Sequence, residues 1–242
     1  PTIPEKINIS GSVGLISSSL FAKAPINDNL SVYSSVRGSY INAFVLPALQ
    51  LSGLDSALTK NKYSYWDINA GFTLKIKSRT KLSGHFYNGK DQIEIHQLKK
   101  FDMSDNYTNW GNMGGSIILT STLSDSLIFN QQLSFSRFQF STHTSWFNSP
   151  ISIQSQFKDL SYKANFLHLL GKNHQLKYGI DWSYSQSKPY ILSGDSVGLV
   201  QQNTQHNNIY STLMSVFLRD EINVGKWQFN LGLRANLYFH LG

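Results

Sequence analysis

Tyr63-Ser64-Tyr65-Trp66-Asp67-Ile68-Asn69-Ala70-Gly71-Phe72-Thr73-Leu74-Lys75-Ile76-Lys77 alternates strictly between two kinds of side chain. Trp66, Ile68, Ala70, Phe72, Leu74 and Ile76 fall on one side, while Asp67, Asn69, Gly71, Thr73, Lys75 and Lys77 fall on the other. Successive strand residues point to opposite faces, so the stretch predicts a long β-strand with one greasy face and one wet face. The run from Gln175 repeats the pattern, with Leu176, Tyr178, Ile180, Trp182 and Tyr184 opposite Gln175, Lys177, Gly179, Asp181 and Ser183. A third copy opens at Trp227, where Trp227, Phe229, Leu231, Leu233, Ala235 and Leu237 alternate with Gln228, Asn230, Gly232, Arg234 and Asn236.

Tight-turn signals punctuate these runs at Asp28, Ser78, Asp125, Lys172 and Gly225, spaced 50, 47, 47 and 53 residues apart. Between them lie longer polar or irregular stretches at about Leu46 to Lys62, Gln92 to Tyr107, Thr144 to Gln156 and Leu192 to Asn207. Short and long connections alternating between arms of roughly 10 to 16 residues are the signature of an outer-membrane barrel, whose turns are short on the periplasmic side and long outside. A propeller would need four short strands per repeat instead of two long ones. The spacing therefore predicts an all-β, antiparallel transmembrane barrel segment of five hairpins and ten strands, running from near Lys6 to near His240, with no helix and no domain boundary.

Composition agrees. Only 14% of the 242 residues are charged, well under the roughly 25% of soluble domains, and polarity comes from Ser, Asn, Gln, Thr and Tyr. No apolar run reaches the about 18 residues of a helical span, a test to which barrel strands are invisible. The absence of cysteine excludes disulfides, thiol nucleophiles and Cys-ligated metals. The net charge of +7 is spread over turns and loops, giving no basic patch for nucleic acid. Pro1 to Glu5 lacks the basic and apolar regions of a secretion signal, so the expectation is that processing or excision has removed what came before, excision from a longer chain being preferred.

A charge on the lipid side costs roughly 2–4 kcal/mol at midplane, so alternation sends Arg37, Asp67, Lys75, Lys81, Lys163, Lys177, Asp181 and Arg234 toward the lumen. There they are expected to meet an internal plug or each other sooner than a ligand. Trp66, Phe86, Trp182, Tyr184 and Trp227 suit interfacial aromatic girdles. The seven histidines show no close metal spacing, and no cofactor or catalytic set is expected. His96, Asp102, Ser104 and Asp105 share one long loop, which loop composition alone accounts for. Arg219-Asp220-Glu221 is a charge cluster whose facing alternation leaves open.

Gly11-Ser12-Val13-Gly14-Leu15-Ile16-Ser17-Ser18-Ser19, Ala24-Pro25-Ile26 and Ser34-Ser35-Val36-Arg37-Gly38-Ser39-Tyr40 together resemble the first barrel hairpin of TonB-dependent receptors from Bacteroidetes-type bacteria, with Ala24 where glycine is usual. The resemblance continues in order through Tyr65-Trp66-Asp67-Ile68-Asn69, Phe86-Tyr87-Asn88-Gly89-Lys90-Asp91, Asn109-Trp110-Gly111-Asn112, Leu133-Ser134-Phe135-Ser136-Arg137-Phe138, His174-Gln175-Leu176-Lys177-Tyr178-Gly179-Ile180-Asp181 and Leu231-Gly232-Leu233-Arg234. It implies a bacterial outer-membrane receptor for active import, with a 22-stranded barrel closed by an N-terminal plug. It also implies an energising inner-membrane TonB complex and, often, a surface lipoprotein that captures ligand. Residues 1–242 would then be a partial barrel domain lacking the plug and the C-terminal strands. The alternative is a complete ten-stranded barrel acting as a passive pore or barrel enzyme, which would seal its first strand to its last.

Overall fold

The computed structural model describes residues 6–53, 61–95, 106–146, 149–194, 204–205 and 208–241. They form one antiparallel sheet. Its strands are β1 (Asn8–Val13), β2 (Ser17–Asn27), β3 (Leu30–Ser39), β4 (Lys62–Lys77), β5 (Thr80–Ile95), β6 (Asn106–Ser124), β7 (Leu127–Trp146), β8 (Ser149–Leu170), β9 (His174–Gly194), β10 (Thr204–Gln205), β11 (Ile209–Val224) and β12 (Trp227–Leu241). Eleven of them follow one another in chain order, and the two-residue β10 pairs with β9 off that path.

The five expected tight turns join β2–β3, β4–β5, β6–β7, β8–β9 and β11–β12. Gly171 and Gly225 sit in two of them with φ of +67° and +61°, the left-handed region that glycine enters without steric cost. The ladder has eleven strands instead of ten because the segment from Lys6 does not run straight to Asn27. It folds back at Gly14, whose N–H donates to the Ser17 carbonyl at 2.9 Å, so that Asn8 to Val13 pair with Ser18 to Lys23. Tyr40 latches this corner: its N–H donates to the Ile16 carbonyl at 3.0 Å, and its hydroxyl donates to the Gly14 carbonyl.

Two further expectations change. Thr144 to Gln156 is mostly strand: β7 runs to Trp146 and β8 starts at Ser149, so those strands reach 20 and 22 residues. The stretch after β3 holds a π-turn over Ile41–Val45 that leads into a short helix, α1 (Leu46–Leu51), where a loop without helix is predicted. No helix among the described residues is long and apolar enough to cross a membrane, which says nothing about strands.

Burial is inverted relative to a water-soluble protein. Ala164 is the buried hydrophobic residue among those described, whereas Ser31, Asp67, Thr73, Ser83 and Ser215 are buried polar ones. The apolar ladder lies open, with Ile117 51% and Leu233 80% exposed. A soluble β-rich module would cover the Trp66 to Ile76 face with a second sheet; Trp66 is 46% exposed, and the described strands form a single sheet.

Candidate functional site

Register assigns every strand residue to a face, because directly paired residues share one. Leu74, Leu82, Leu119, Gln131, Ala164, Ile180, Val216 and Ala235 form one cross-strand row, and Phe72, Gly84, Ile117, Leu133, Tyr162, Trp182, Met214 and Leu237 form the next. Such rows make a continuous apolar belt. On β7 it runs from Leu127 to Phe135, nine residues, within the about 9–11 a tilted strand needs to cross a bilayer.

All eight predicted charges fall on the face opposite this belt. Arg37 and Asp67 are direct partners on β3 and β4; Arg37 Nε donates to Asp67 Oδ2 at 2.7 Å, and Nη2 approaches the same oxygen at 2.6 Å. The guanidinium also lies 5.2 Å from the centre of the Tyr65 ring. Arg234 reaches across β11 to Asp181 on β9, donating from Nη2 to Oδ2 at 2.8 Å. Lys163 is the register partner of that same Asp181. Lys75 lies directly opposite Lys81, and Lys177 opposite Arg219.

The Asp67 side chain keeps only 10% of its exposure, against 22% for Asp181. Both arginines are about half exposed, so solvent screens both pairs. Double-mutant cycles to alanine, read from urea unfolding of the refolded barrel, are expected to give a coupling of about 1–2 kcal/mol for Arg37 with Asp67 and under about 1 kcal/mol for Arg234 with Asp181. The reverse ranking would contradict this account of burial.

The charge cluster left open by alternation divides between the faces. Arg219 and Glu221 share the polar face, and Asp220 shares the apolar one near the turns, where its Oδ2 lies 2.7 Å from His174 Nδ1. His96, Asp102, Ser104 and Asp105 lie outside the described residues, as does His206. Among the described residues, no group of three metal-binding side chains comes together.

One feature of the polar face escapes a strand-by-strand reading. Beyond the belt, away from the tight turns, the two faces exchange polarity. The face that carried Ser134 and Ser136 now presents Phe138 and Phe140, paired across strands with Phe157 and Trp110, with Asn112 and Ser155 as their other-side or next partners. Tyr63 continues this zone on β4, its hydroxyl donating to Asp91 Oδ1 at 2.6 Å. The reversal is visible in Phe135-Ser136-Arg137-Phe138-Gln139-Phe140, where the apolar residues shift by one position. A single polarity per face hides it.

Long antiparallel strands, an exposed apolar belt, a polar opposite face and short turns along one rim define a transmembrane β-barrel wall. The chain belongs to the TonB dependent receptor-like β-barrel family, whose model matches residues 49–239. Barrels of this family are bacterial outer-membrane proteins. Among solved structures it is similar to the ferric preacinetobactin receptor BauA of Acinetobacter baumannii, with a TM-score of 0.62 and 12% identity over 97% of this chain and 41% of that one. It is also similar to FpvA of Pseudomonas aeruginosa, solved with bound heterologous pyoverdines, with a TM-score of 0.67 and 13% identity over 98% of this chain and 37% of that one. The siderophore receptor PiuA of Acinetobacter baumannii gives 0.63 and 13% over 96% and 42%. No curated protein matches the chain in sequence. The chain thus spans about two fifths of the length of these solved receptors.

Proposed function

We propose that this chain is a barrel segment of a receptor that imports its ligand actively, energised through a plug by the inner-membrane TonB complex. Membership of the receptor family supports import, and the observation that makes this chain a segment of such a receptor is the open ladder: among the described residues, β1 and β12 each pair on one side only, where a self-contained barrel would join them. An unpaired long edge is a liability that further strands of the same receptor remove. The plug, the remaining strands and outer-membrane lipid are then its structural partners. A Bacteroidetes-type lineage with a ligand-capturing surface lipoprotein is the finer form of the same proposal, resting on the resemblance of the Gly11 to Tyr40 stretch.

With the apolar belt toward lipid, the eight charges point into the lumen. Arg37 with Asp67 and Asp181 with Arg234 act as strand-to-strand clamps. Lys75 and Lys81 oppose each other near the periplasmic rim, a like-charge contact that acidic groups of a plug would relieve. The inward aromatic zone of Trp110, Phe138, Phe140 and Phe157 lies on the outer side, where arriving ligand first meets the wall.

The test uses the full-length receptor purified and placed in planar bilayers, alongside binding of the soluble periplasmic domain of TonB. A plugged importer is expected to show no steady conductance and to bind that domain. Steady conductance without TonB binding would overturn the import reading in favour of a passive pore.

A further inference from the structure

We propose that the lipid-side surface of β5 to β9 is a binding site for a phosphorylated, acylated lipid of the outer leaflet; the proposal rests on the outer-membrane reading above. Just beyond the apolar belt, the outward face becomes cationic. Lys90, Arg137, Lys158 and Lys188 all share that face, as the rows Asn88–Met113–Arg137–Lys158–Gln186 and Lys90–Gly111–Gln139–Gln156–Lys188 show. Arg137 and Lys158 are direct cross-strand partners, an arrangement that is unfavourable without an anion between or above them. None of the four has an ion pair among the described residues. The acid on this part of the face, Glu94, lies further out and pairs with Lys62 at 3.3 Å.

The space around these cations has the shape the charges call for. A polar hollow of about 200 Å³ is bounded by Trp66, Lys90 and Arg137 over Gly111, and a second, of about 300 Å³, by Gln139, Gln156 and Lys188. Directly below them in the belt lies an open apolar groove of about 790 Å³, with Ala70, Gly84 and Gly115 as floor and Phe72, Phe86 and Phe135 as walls. Phe135 is two residues from Arg137 along β7, and Leu160, which also lines the groove, is two from Lys158 along β8. Phosphates in charge-assisted hydrogen bonds with the cations therefore place acyl chains in the groove. Charge complementarity and continuity with the lipid belt select a membrane lipid as occupant over a protein partner.

The test uses the full-length receptor, extracted and stripped of native lipid, with retention of diphosphoryl lipid A read by native mass spectrometry. Dephosphorylated lipid A and inorganic phosphate are the comparison probes. Retention of diphosphoryl lipid A is expected to fall at least tenfold in Arg137→Gln/Lys158→Gln and to persist in the charge-keeping Arg137→Lys/Lys158→Arg. Filling the groove with Gly115→Leu, where an added Cβ meets nothing closer than 3.4 Å, is expected to weaken both lipids and leave the charges intact. Retention unchanged in the Gln pair, or dephosphorylated lipid held equally well, would overturn the proposal, as would inorganic phosphate competing at the same site. Heat-modifiable migration of each variant reports barrel assembly separately, so failure of this site is distinguishable from failure of the membrane reading.

Discussion

Ile117→Lys is expected to deplete the assembled receptor from the outer membrane, whereas Ile118→Lys, one residue along the same strand, is expected to leave it in place. Ile117 sits in the middle of the apolar belt on β6, between Gly84 and Leu133 in its row. Ile118 is on the polar face, between Ser83 and Gln132. A lysine at midplane on the lipid side costs roughly 2–4 kcal/mol, and each 1.4 kcal/mol is a factor of about ten in an equilibrium. The folded-to-unfolded ratio should thus fall by about 30- to 1000-fold for Ile117→Lys. At position 118 the ammonium meets hydroxyl and amide groups, so little changes. The measurement is the folded fraction in outer-membrane preparations, read by heat-modifiable gel migration and protease resistance. Equal loss in both variants would mean that neither face is lipid; the reverse order would mean that the sheet is rolled the other way.

The same contrast explains what the sequence makes legible. Where a strand crosses lipid, one face must be apolar, and alternation in Tyr63 to Lys77 or Trp227 to Leu237 announces both the strand and its facing. Where a strand continues into water, that requirement lapses. Thr144 to Trp146 and Ser149 to Gln156 are rich in Ser, Thr and Gln on both faces, so they read as loop although the ladder runs through them. The β1–β2 turn is missed for a related reason: Ser17, Ser18 and Ser19 do not alternate, and Gly14-Leu15-Ile16 lacks the Asn-Gly or Asp-Gly signature of a two-residue hairpin. Alternation also fixes the face of a charge without naming its partner. Arg234 meets Asp181 across an intervening strand, a distance set by the β9–β11 and β11–β12 registers, and those depend on the connections that join the strands. The cationic band and the inward aromatics are written in the sequence as a phase shift at Arg137, but only the assembled rows show that neighbouring strands shift at matching heights.

Glycine at 179 carries the other large effect. It lies on the polar face of β9 opposite Asn165, and a Cβ there would collide with the Ala164 carbonyl oxygen and come within 2.8 Å of Asn165 Cα. These are backbone atoms of β8, held in the β8–β9 ladder, so they cannot yield without breaking its hydrogen bonds. Gly84 is a milder case, since its Cβ would meet the Phe72 ring, which has a lipid-facing side into which to turn. Gly115 is milder still, its nearest contact being 3.4 Å from the His85 carbonyl oxygen. Overpacking typically costs about 1–3 kcal/mol, and a rigid backbone neighbour places Gly179→Val at the upper end of that range. The expected order of urea midpoints for the refolded receptor is Gly115→Ala close to the parent, Gly84→Ala lower and Gly179→Val lowest, with about a hundredfold loss in the folded-to-unfolded ratio for the last. A midpoint for Gly179→Val equal to that of Gly115→Ala would show that β8 and β9 can separate at this height. The sheet would then be a softer wall than its register implies, and the solvent-screened Asp181–Arg234 pair two residues away would be too weak to hold β9 and β12 in place of the ladder.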